Sequence, residues 1–414
     1  TSRRQRQMCI RDRFNKVFFS QTGNGTTALI LSYMSFAIGY IAGPFGAIFF
    51  GHIGDRKGRK VTMYASLLMM GISTSIIGIL PPAASAGVGV VIVLQLMRLA
   101  QCFGRGGTWG GGILMAYENV PENKRSFYAA IPQIGLPIGF GLSSILIAVP
   151  TLLLPEDIFF TWGWRIPFLA AIILTVIVIR QKGEMMETED YKKAQAKLEA
   201  EEAEGKKHKV GFIPMVKGYW KTLLLGCGTR WVDGTFYNIF IVWILSYCIN
   251  WLGMPLIQTY IITIIACIFK IPFTLFGGWC AQKLGNTRTF VIGALASAVL
   301  SIPTLKVIEL SKGNLAITII GIVLGWSIAY NLIWAVISSL WSSYFETEVR
   351  YSGISFVYHV PSFLVAGMVP TICTLLINYG KGDTIYVGIY STVVALISAA
   401  CALALKARHD RGEK

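Results

Sequence analysis

Charged side chains inside long apolar runs are the groups in this 414-residue sequence whose chemistry most needs an explanation. The segment 98–119, RLAQCFGRGGTWGGGILMAYEN, combines two arginines and a glutamate with many glycines. A glycine-rich run beside arginine is typical either of a phosphate-binding loop or of two membrane helices in close contact. A P-loop requires GxxxxGK[ST], and this segment has no such lysine. We therefore interpret the spacing of Gly106 with Gly110, repeated one residue later, as a flat face for helix packing.

The two arginines of this segment, Arg98 and Arg105, need partners. An arginine at mid-bilayer costs about 2.5–3.5 kcal/mol on insertion scales, so each should face a cavity or a partner. They are seven residues apart, about two helical turns, and so share a face. For Arg98 a purely structural ion pair is an equally good interpretation. Trp109 is expected to line a pocket or simply to pack.

Further polar candidates lie in the second half of the chain. Arg230 and Asp233 are three residues apart and can pair on one helix face. Either the pair is self-satisfied, or Asp233 titrates and Arg230 binds a substrate carboxylate. His359 could switch its charge near neutral pH, although a lone membrane histidine is more often a packing residue. Lys270, in IFKIPF, is expected to snorkel or to find a cavity partner.

The composition sets the class of protein. The chain is 54% hydrophobic and 14% charged, whereas soluble domains carry about 25% charged residues. The net charge of +16 sits in short turns between apolar runs, which argues against nucleic-acid binding and for topology determinants. The eight cysteines have no metal-ligand spacing and the four histidines are scattered, so we expect no metal, no cofactor and no membrane-embedded enzyme.

Apolar runs of about 20 residues predict membrane-spanning helices, because a helix satisfies its own backbone groups in lipid. Barrel strands would be only about 10 residues long. We predict an all-α polytopic membrane protein with eleven spans: 28–51, 61–81, 87–117, 126–154, 163–181, 220–250, 255–281, 288–308, 314–342, 351–379 and 384–406.

Charge in the loops predicts the orientation. The charged turns DRKGRK (55–60), PENKR (121–125), QKLGNTR (282–288) and ETEVR (346–350), together with the C-terminus, all contain lysine or arginine and fall on one side, whereas 81–87, 155–163 and 250–255 contain neither residue. The positive-inside rule therefore places DRKGRK and the C-terminus in the cytoplasm.

The domain organisation follows from a charged break after the fifth span. We predict a non-native or disordered tail at 1–16, an N-terminal helix bundle at 17–181 and a charged, partly helical linker at 182–219. A C-terminal bundle at 220–406 and a cytoplasmic tail at 407–414 follow. The two halves echo each other, since PENKRSFYAAIPQIGLPIGFG parallels ETEVRYSGISFVYHVPSFLVAG. Paired halves of this kind occur in secondary transporters.

The motifs in their order carry a specific resemblance. GHIGDRKGRK (51–60) resembles the signature of the major facilitator superfamily. The run RLAQCFGRGGTWGGGILMAYENVPENKR, followed by GWRIPF and VRYSGISFVYH, resembles the metabolite:proton symporter family within it, which includes shikimate, proline-betaine and α-ketoglutarate permeases. The resemblance implies two pseudo-symmetric bundles with eleven of the usual twelve helices present and the first one lacking.

The same resemblance implies a charge network that latches the halves in an outward-facing state. The alternative is that the bases near residue 56 only fix topology. Glycines of the signature would let helices approach closely, and Asp55 could interact with a neighbouring helix N-terminus. The residues expected in this network are Gly51, Gly54, Asp55, Arg56, Arg59, Glu118, Arg125 and Arg350.

Two positions depart from the family pattern. Relatives usually have a small or apolar residue in place of Arg105, and Glu where this chain has Thr108. The cavity is therefore expected to be more positive than usual and to favour an anionic substrate, while proton coupling through position 108 is in doubt. The residues expected along the substrate and proton pathway are Arg98, Arg105, Thr108, Trp109, Arg230, Asp233, Tyr237 and His359.

The expected function is secondary active transport of a small polar metabolite, an organic acid or a zwitterion, by alternating access with proton symport. Alternatives are an uncoupled facilitator on the same fold and a transport-dead truncated fragment. The expected partners are a small-molecule substrate, the proton and the lipid bilayer, with no nucleic acid. We expect a monomer in the cell (inner) membrane.

Overall fold

The computed structural model describes residues 25–81, 88–155, 158, 162–181, 187–203 and 212–413. Within these ranges the regular elements are helices. Their bounds are α1 Gly25–Lys57, α2 Arg59–Ile79, α3 Val88–Glu118, α4 Glu122–Leu153, α5 Gly163–Gln181, α6 Glu189–Ala203, α7 Met215–Asn250, α8 Leu256–Leu284, α9 Asn286–Leu310, α10 Leu315–Ser342, α11 Arg350–Tyr379 and α12 Ile385–Asp410. The predicted tail at 1–16 lies outside the described residues.

The helices cover the eleven predicted apolar runs. Nine of them are long and apolar enough, in the described part of the chain, to cross a membrane. The other two runs, 28–51 and 87–117, lie in α1 and α3, which are 33 and 31 residues long. The all-α membrane fold is therefore confirmed. We refer to α1–α5 as the N-terminal half and to α7–α12 as the C-terminal half.

Two element ends differ from the predicted runs. The helix that leads into α7 begins at Phe212, inside the range predicted as linker. Helix α1 continues to Lys57, so Asp55 and Arg56 belong to a helix rather than to a turn. The turn between α1 and α2 therefore consists of Gly58 alone, and its φ of 105° favours glycine. A Cβ at Gly58 would lie 2.2 Å from Oε2 of Glu187, so a side chain there would also displace the Glu187 carboxylate.

Close helix contacts explain the glycine-rich segment. Helix α3 packs against α1 and α2, and α5 packs against α2. A Cβ at Gly46 of α1 would lie 2.0 Å from the Phe103 carbonyl oxygen of α3, and one at Gly106 would lie 2.4 Å from the Ala47 nitrogen. Only glycines permit this backbone approach, which confirms that the run is a helix-packing face.

The two halves meet along two helix pairs. Helix α11 packs against α1, and α8 packs against α4, with α10 also contacting α4. Several helices contain wide π-helical turns close to the polar residues of interest, at Asn238–Trp243 in α7, Val323–Ala329 in α10 and Phe363–Gly367 in α11. Such turns are frequent at functional sites because they redirect neighbouring side chains.

Candidate functional site

The buried ion pair of α7 forms the centre of the site. Arg230 and Asp233 are 5% and 1% exposed, and Nη1 of Arg230 donates a hydrogen bond to Oδ2 of Asp233. The hydroxyl of Tyr330, on α10, donates to the other carboxylate oxygen. The i, i+3 pairing expected from the sequence is therefore present. A third, aromatic partner from another helix holds the carboxylate.

Aromatic rings connect this pair to the N-terminal half. Nε of Arg230 donates to the Tyr358 carbonyl oxygen over 3.3 Å, and the guanidinium lies 4.2 Å from the ring centroid of the same tyrosine. Tyr358 in turn stacks on Trp109 of α3 at 4.1 Å between centroids. Nε1 of Trp109 is buried without a hydrogen-bond partner in the structure. The site therefore crosses the contact between the two halves.

Arg105 approaches the same tyrosines from α3. Its guanidinium lies 4.6 Å from the Tyr40 ring centroid, and it interacts electrostatically with Tyr358. Nε of Arg105 is buried without a hydrogen-bond partner, although the residue as a whole is half-buried. Arg98 lies two turns nearer to the N-terminus of α3 and is also half-buried. Of the two arginines, Arg105 is the one whose described contacts reach the central tyrosines.

Lys270 of α8 is fully buried and does not snorkel. Its Nζ donates to Oδ1 of Asn331 over 2.9 Å and lies among the rings of Trp326, Tyr330 and Trp334. The snorkelling interpretation is therefore wrong, and Lys270 instead has a buried polar partner on α10. We call Arg105, Arg230, Asp233, Lys270, Tyr330 and Tyr358 the central cluster.

The remaining candidates lie beside the central cluster. Thr108 points toward α2, where its hydroxyl lies 3.0 Å from Ser66 Oγ. Tyr237 packs edge-on against Phe140 of α4 at 5.6 Å. His359 is 1% exposed, its Nε2 has no hydrogen-bond partner in the structure, and it contacts α1 at a glycine. These positions are consistent with packing roles between helices.

A second group of charges lies where α1 meets α2, at the opposite end of the halves from the 250–255 turn. Asp55 accepts hydrogen bonds from the backbone nitrogens of Tyr351 and Ser352 over 3.2 and 3.1 Å. These nitrogens belong to the first turn of α11, whose dipole favours a carboxylate. Gly54 makes the approach possible, since a Cβ there would lie 2.7 Å from the Tyr351 ring.

Arg59 and Glu118 occupy the middle of this group. Both are buried, and Nε of Arg59 lies 3.4 Å from Oε2 of Glu118. Arg59 donates to the Gly54 carbonyl in its own half and to the Thr347 carbonyl in the other half, over 2.9 and 2.8 Å. Glu118 also accepts from Nη1 of Arg350 over 3.0 Å.

Arg125 completes the set. Its Nη2 donates to Oδ2 of Asp190 over 2.7 Å, and the same oxygen lies 3.7 Å from Nη1 of Arg350. We call Asp55, Arg59, Glu118, Arg125, Asp190 and Arg350 the charge network. Because its contacts run between α1–α3 and α11, the structure is closed between the halves at this end.

Comparison with known proteins identifies the architecture. The Major Facilitator Superfamily model matches residues 18–368. The chain belongs to the Major Facilitator Superfamily. Inner membrane metabolite transport protein YhjE of Escherichia coli K12 is 34% identical over 404 residues, 96% of this chain and 89% of that one. The shikimate transporter of the same organism is 30% identical, covering 95% and 88%.

More distant comparisons agree on the fold. The proline/betaine transporter of Salmonella typhimurium LT2 is 27% identical over 398 residues, 96% of this chain and 78% of that one. A solved structure of the proton:xylose symporter XylE superposes with a TM-score of 0.75 at 16% identity, covering 95% and 89% of the two chains. The protein is thus a multi-pass membrane transporter of metabolites within this superfamily and not an enzyme.

Within this superfamily fold, the segment before α6 contacts α2 and the charge network, which the sequence did not predict. The Glu187 carboxylate accepts hydrogen bonds from the backbone nitrogens of Arg59 and Lys60 over 3.0 and 3.2 Å, at the start of α2. Thr188 donates to Glu118 over 2.7 Å. The TED sequence at 188–190 opens a helix-prone run and is a typical helix N-terminus, which could have revealed an ordered segment.

Tyr191 of α6 adds two contacts. Its hydroxyl donates to the Arg56 carbonyl over 3.0 Å, and its ring lies 4.7 Å below the Arg59 guanidinium. Burial raises the pKa of the Tyr191 phenol, so the hydroxyl stays protonated and remains a donor at neutral pH. The side chain of Arg56 itself is exposed. Among the described residues no group of three or more His, Cys, Asp or Glu could hold a metal ion.

Proposed function

We propose that the protein is a secondary active transporter that moves a small polar metabolite, an organic acid or a zwitterion, in symport with a proton. The observation that carries this proposal is the buried Arg230–Asp233 pair, which contacts Tyr330 and reaches Trp109 of the other half through Tyr358. Ionised groups inside a membrane are costly and mark substrate or proton pathways. In this superfamily fold such a site lies where the two halves meet.

The proposed transport cycle is alternating access. The bundles 17–181 and 220–406, joined by the linker 182–219, rock about the central cluster. The charge network closes the end that the positive-inside rule assigns to the cytoplasm. Opening that end separates Asp55 from the start of α11 and Glu118 from Arg350. We further propose that the protein acts as a monomer in the inner membrane with its C-terminus in the cytoplasm.

Asp233 is the proposed proton carrier. While it is ionised it holds Arg230, and once it is protonated it releases the guanidinium for a substrate carboxylate. Proton binding and substrate binding are coupled in this way, since both act on one arginine. The named relatives include a shikimate transporter and a proline/betaine transporter, which supports an acid or a zwitterion as substrate.

The test uses the full chain in liposomes with shikimate, succinate and glycine betaine as labelled probes. We expect accumulation of a probe only when the outer medium is more acidic than the lumen. Asp233→Asn should keep exchange of internal for external probe but lose gradient-driven accumulation. Asp383→Asn, in the turn before α12, is the matched control and should behave as wild type. If the wild type accumulated a probe to the same level with and without the pH gradient, proton coupling would be rejected.

The second candidate is an uncoupled facilitator. The observation that favours it is that both carboxylate oxygens of Asp233 already have partners, so the group is well satisfied without a proton. Relatives usually have Glu where this chain has Thr108, and the lack of this acid also favours an uncoupled facilitator. For a facilitator, probes should equilibrate across the bilayer without accumulating, and Asp233→Asn should change the rate rather than the final level.

A further inference from the structure

Lys270 lies inside a cage of aromatic rings. Its Nζ is 4.5 Å from the Trp326 ring centroid, 4.3 Å from that of Tyr330 and 5.9 Å from that of Trp334. A cation within about 6 Å of such ring faces is attracted by their quadrupoles, and several faces together form the cages that recognise ammonium groups. In this protein the ammonium comes from the chain itself.

The π-helical turn Val323–Ala329 helps to build the cage. Trp326, Tyr330 and Trp334 are spaced by four residues, and at 3.6 residues per turn such a stripe drifts by about 40° at each step. A π-helical turn takes up an extra residue, which offsets the drift and keeps the rings on one side of α10. The three rings can therefore face the same point on α8.

The cage is full. Lys270, Trp326 and Tyr330 are fully buried, and Trp334 is 3% exposed. Asn331 fixes the lysine from both ends, because its Oδ1 accepts from Nζ and its Nδ2 donates to the Lys270 carbonyl over 2.8 Å. Thr274 donates to the same amide oxygen over 3.1 Å and so holds its orientation. A second ammonium group has no space beside the first.

The ionisable groups around the cage are mostly basic. Arg105, Arg230 and Lys270 bring three basic side chains to the central cluster, and Asp233 brings one acidic side chain. That carboxylate is already held by Arg230 and Tyr330, and the hydrogen-bond partner of Lys270 is a neutral amide. Buried charge in excess is costly, so a ligand that enters here is favoured if it is an anion.

We propose that Lys270 is a resident cation that fills the aromatic cage and determines the substrate class. The site takes an organic acid without an ammonium group and rejects quaternary-ammonium zwitterions, whose cation would need the occupied cage. Carboxylates of the substrate meet Arg105 and Arg230, while Lys270 acts through charge and occupancy. This inference rests on the proposed transport function, from which it selects the acid and excludes the zwitterion.

Binding to the purified full chain tests this proposal without transport. Shikimate and succinate should raise the midpoint of thermal unfolding of the wild type, whereas glycine betaine and tetramethylammonium should not. Lys270→Ala empties the cage, so tetramethylammonium or methylammonium should now stabilise the variant and restore acid binding. Lys306→Ala, at the far end of α9, is the matched control and should gain no response to either ammonium ion.

A neutral variant of similar length separates charge from occupancy and covers the case in which Lys270→Ala does not fold. Lys270→Met keeps the cage filled, so betaine should still be rejected, while affinity for the acids falls by about tenfold or more. Wild-type binding of betaine as tight as that of the acids, or unchanged acid affinity in Lys270→Met, would overturn the proposal. If liposomes show no uptake of any probe, the transport function fails. The change in the unfolding midpoint of Lys270→Ala with tetramethylammonium or methylammonium still tests whether Lys270 fills the cage.

Discussion

The central cluster and the charge network both bury charges from the two halves, but they satisfy those charges differently. In the charge network, carboxylates meet arginines and a helix N-terminus, and one acid often serves two partners, as Glu118 does with Arg59 and Arg350. In the central cluster, Lys270 and Arg105 lie against aromatic rings and Asp233 is the carboxylate. The network contains three carboxylates and three arginines, whereas the cluster contains three basic side chains and one carboxylate.

This difference fits the two roles proposed above, which are closure of one end by the charge network and selection of the substrate by the central cluster. A neutral set of mutual partners loses several contacts at once when the halves part, which suits a latch. Cation–π contacts do not neutralise a positive charge, so a cation held by aromatic rings can still attract a carboxylate. This arrangement suits a binding site for an anion. Each region can therefore be perturbed by a substitution that leaves the other intact.

The largest effect is expected at the central ion pair. Asp233→Leu leaves Arg230 buried without its counter-charge, and such a change costs about 3–5 kcal/mol. The expected result is a large fall in the thermal unfolding midpoint of the purified protein. The double variant Arg230→Met/Asp233→Leu removes both charges and should recover most of that loss. Equal stability of the single and double variants would show that the pair is not coupled.

The next effect concerns closure by the charge network. Glu118→Gln weakens the hydrogen bond from Arg350 and the contact with Arg59, and charged hydrogen bonds contribute about 1.5–3 kcal/mol each. We expect the halves to open at this end, measured as a longer distance between spin labels at positions 124 and 343.

The control for that measurement is Glu122→Gln. The Glu122 side chain is 89% exposed and lies 3.8 Å from Arg125, so its loss should leave the distance distribution unchanged. A matching shift in both variants would mean that net charge, rather than the buried contacts of Glu118, keeps this end closed.

The sequence predicted the regular parts of both regions. The length of the apolar runs was enough to predict the spans, since each must satisfy its own backbone in lipid. The spacing of Arg230 and Asp233 predicted their pairing, and the DRKGRK signature predicted where charges would gather. These features depend on local spacing along a single helix, which a sequence displays directly.

Contacts between distant elements were harder to predict. Trp326, Tyr330 and Trp334 look like ordinary apolar residues of a helix, and nothing in their spacing indicates a π-helical turn or a lysine opposite them. Glu187 and Tyr191 lie in a charged segment without apolar periodicity, so only their positions in the structure connect them with α2. The direction of Thr108 toward Ser66 depends in the same way on how α2 and α3 pack.

A smaller effect is expected where the linker joins the charge network. Glu187→Gln weakens the cap on the first turn of α2, and loss of a helix cap costs about 1 kcal/mol. We expect a small fall in thermal stability together with a slight opening in the same spin-label distance. Glu199→Gln, on the exposed side of α6, should show neither change. If Glu187→Gln changed stability without changing the distance, the segment would be a structural cap and not part of the closure.

The smallest effect is expected for an ion pair that resembles the network in composition but is more exposed to solvent. Asp383 accepts from Nζ of Lys306 over 2.7 Å, yet its side chain is 43% exposed, and exposed pairs contribute about 0.2–1 kcal/mol. Lys306 lowers the pKa of Asp383 below its usual value, so the stabilisation is fully present above that usual value and is lost as the pH falls through the lowered one. The small stability difference between wild type and Asp383→Asn should therefore be the same at pH 7 and pH 5. A difference as large as that of Glu118→Gln would show that burial is not what distinguishes the charge network from ordinary surface pairs.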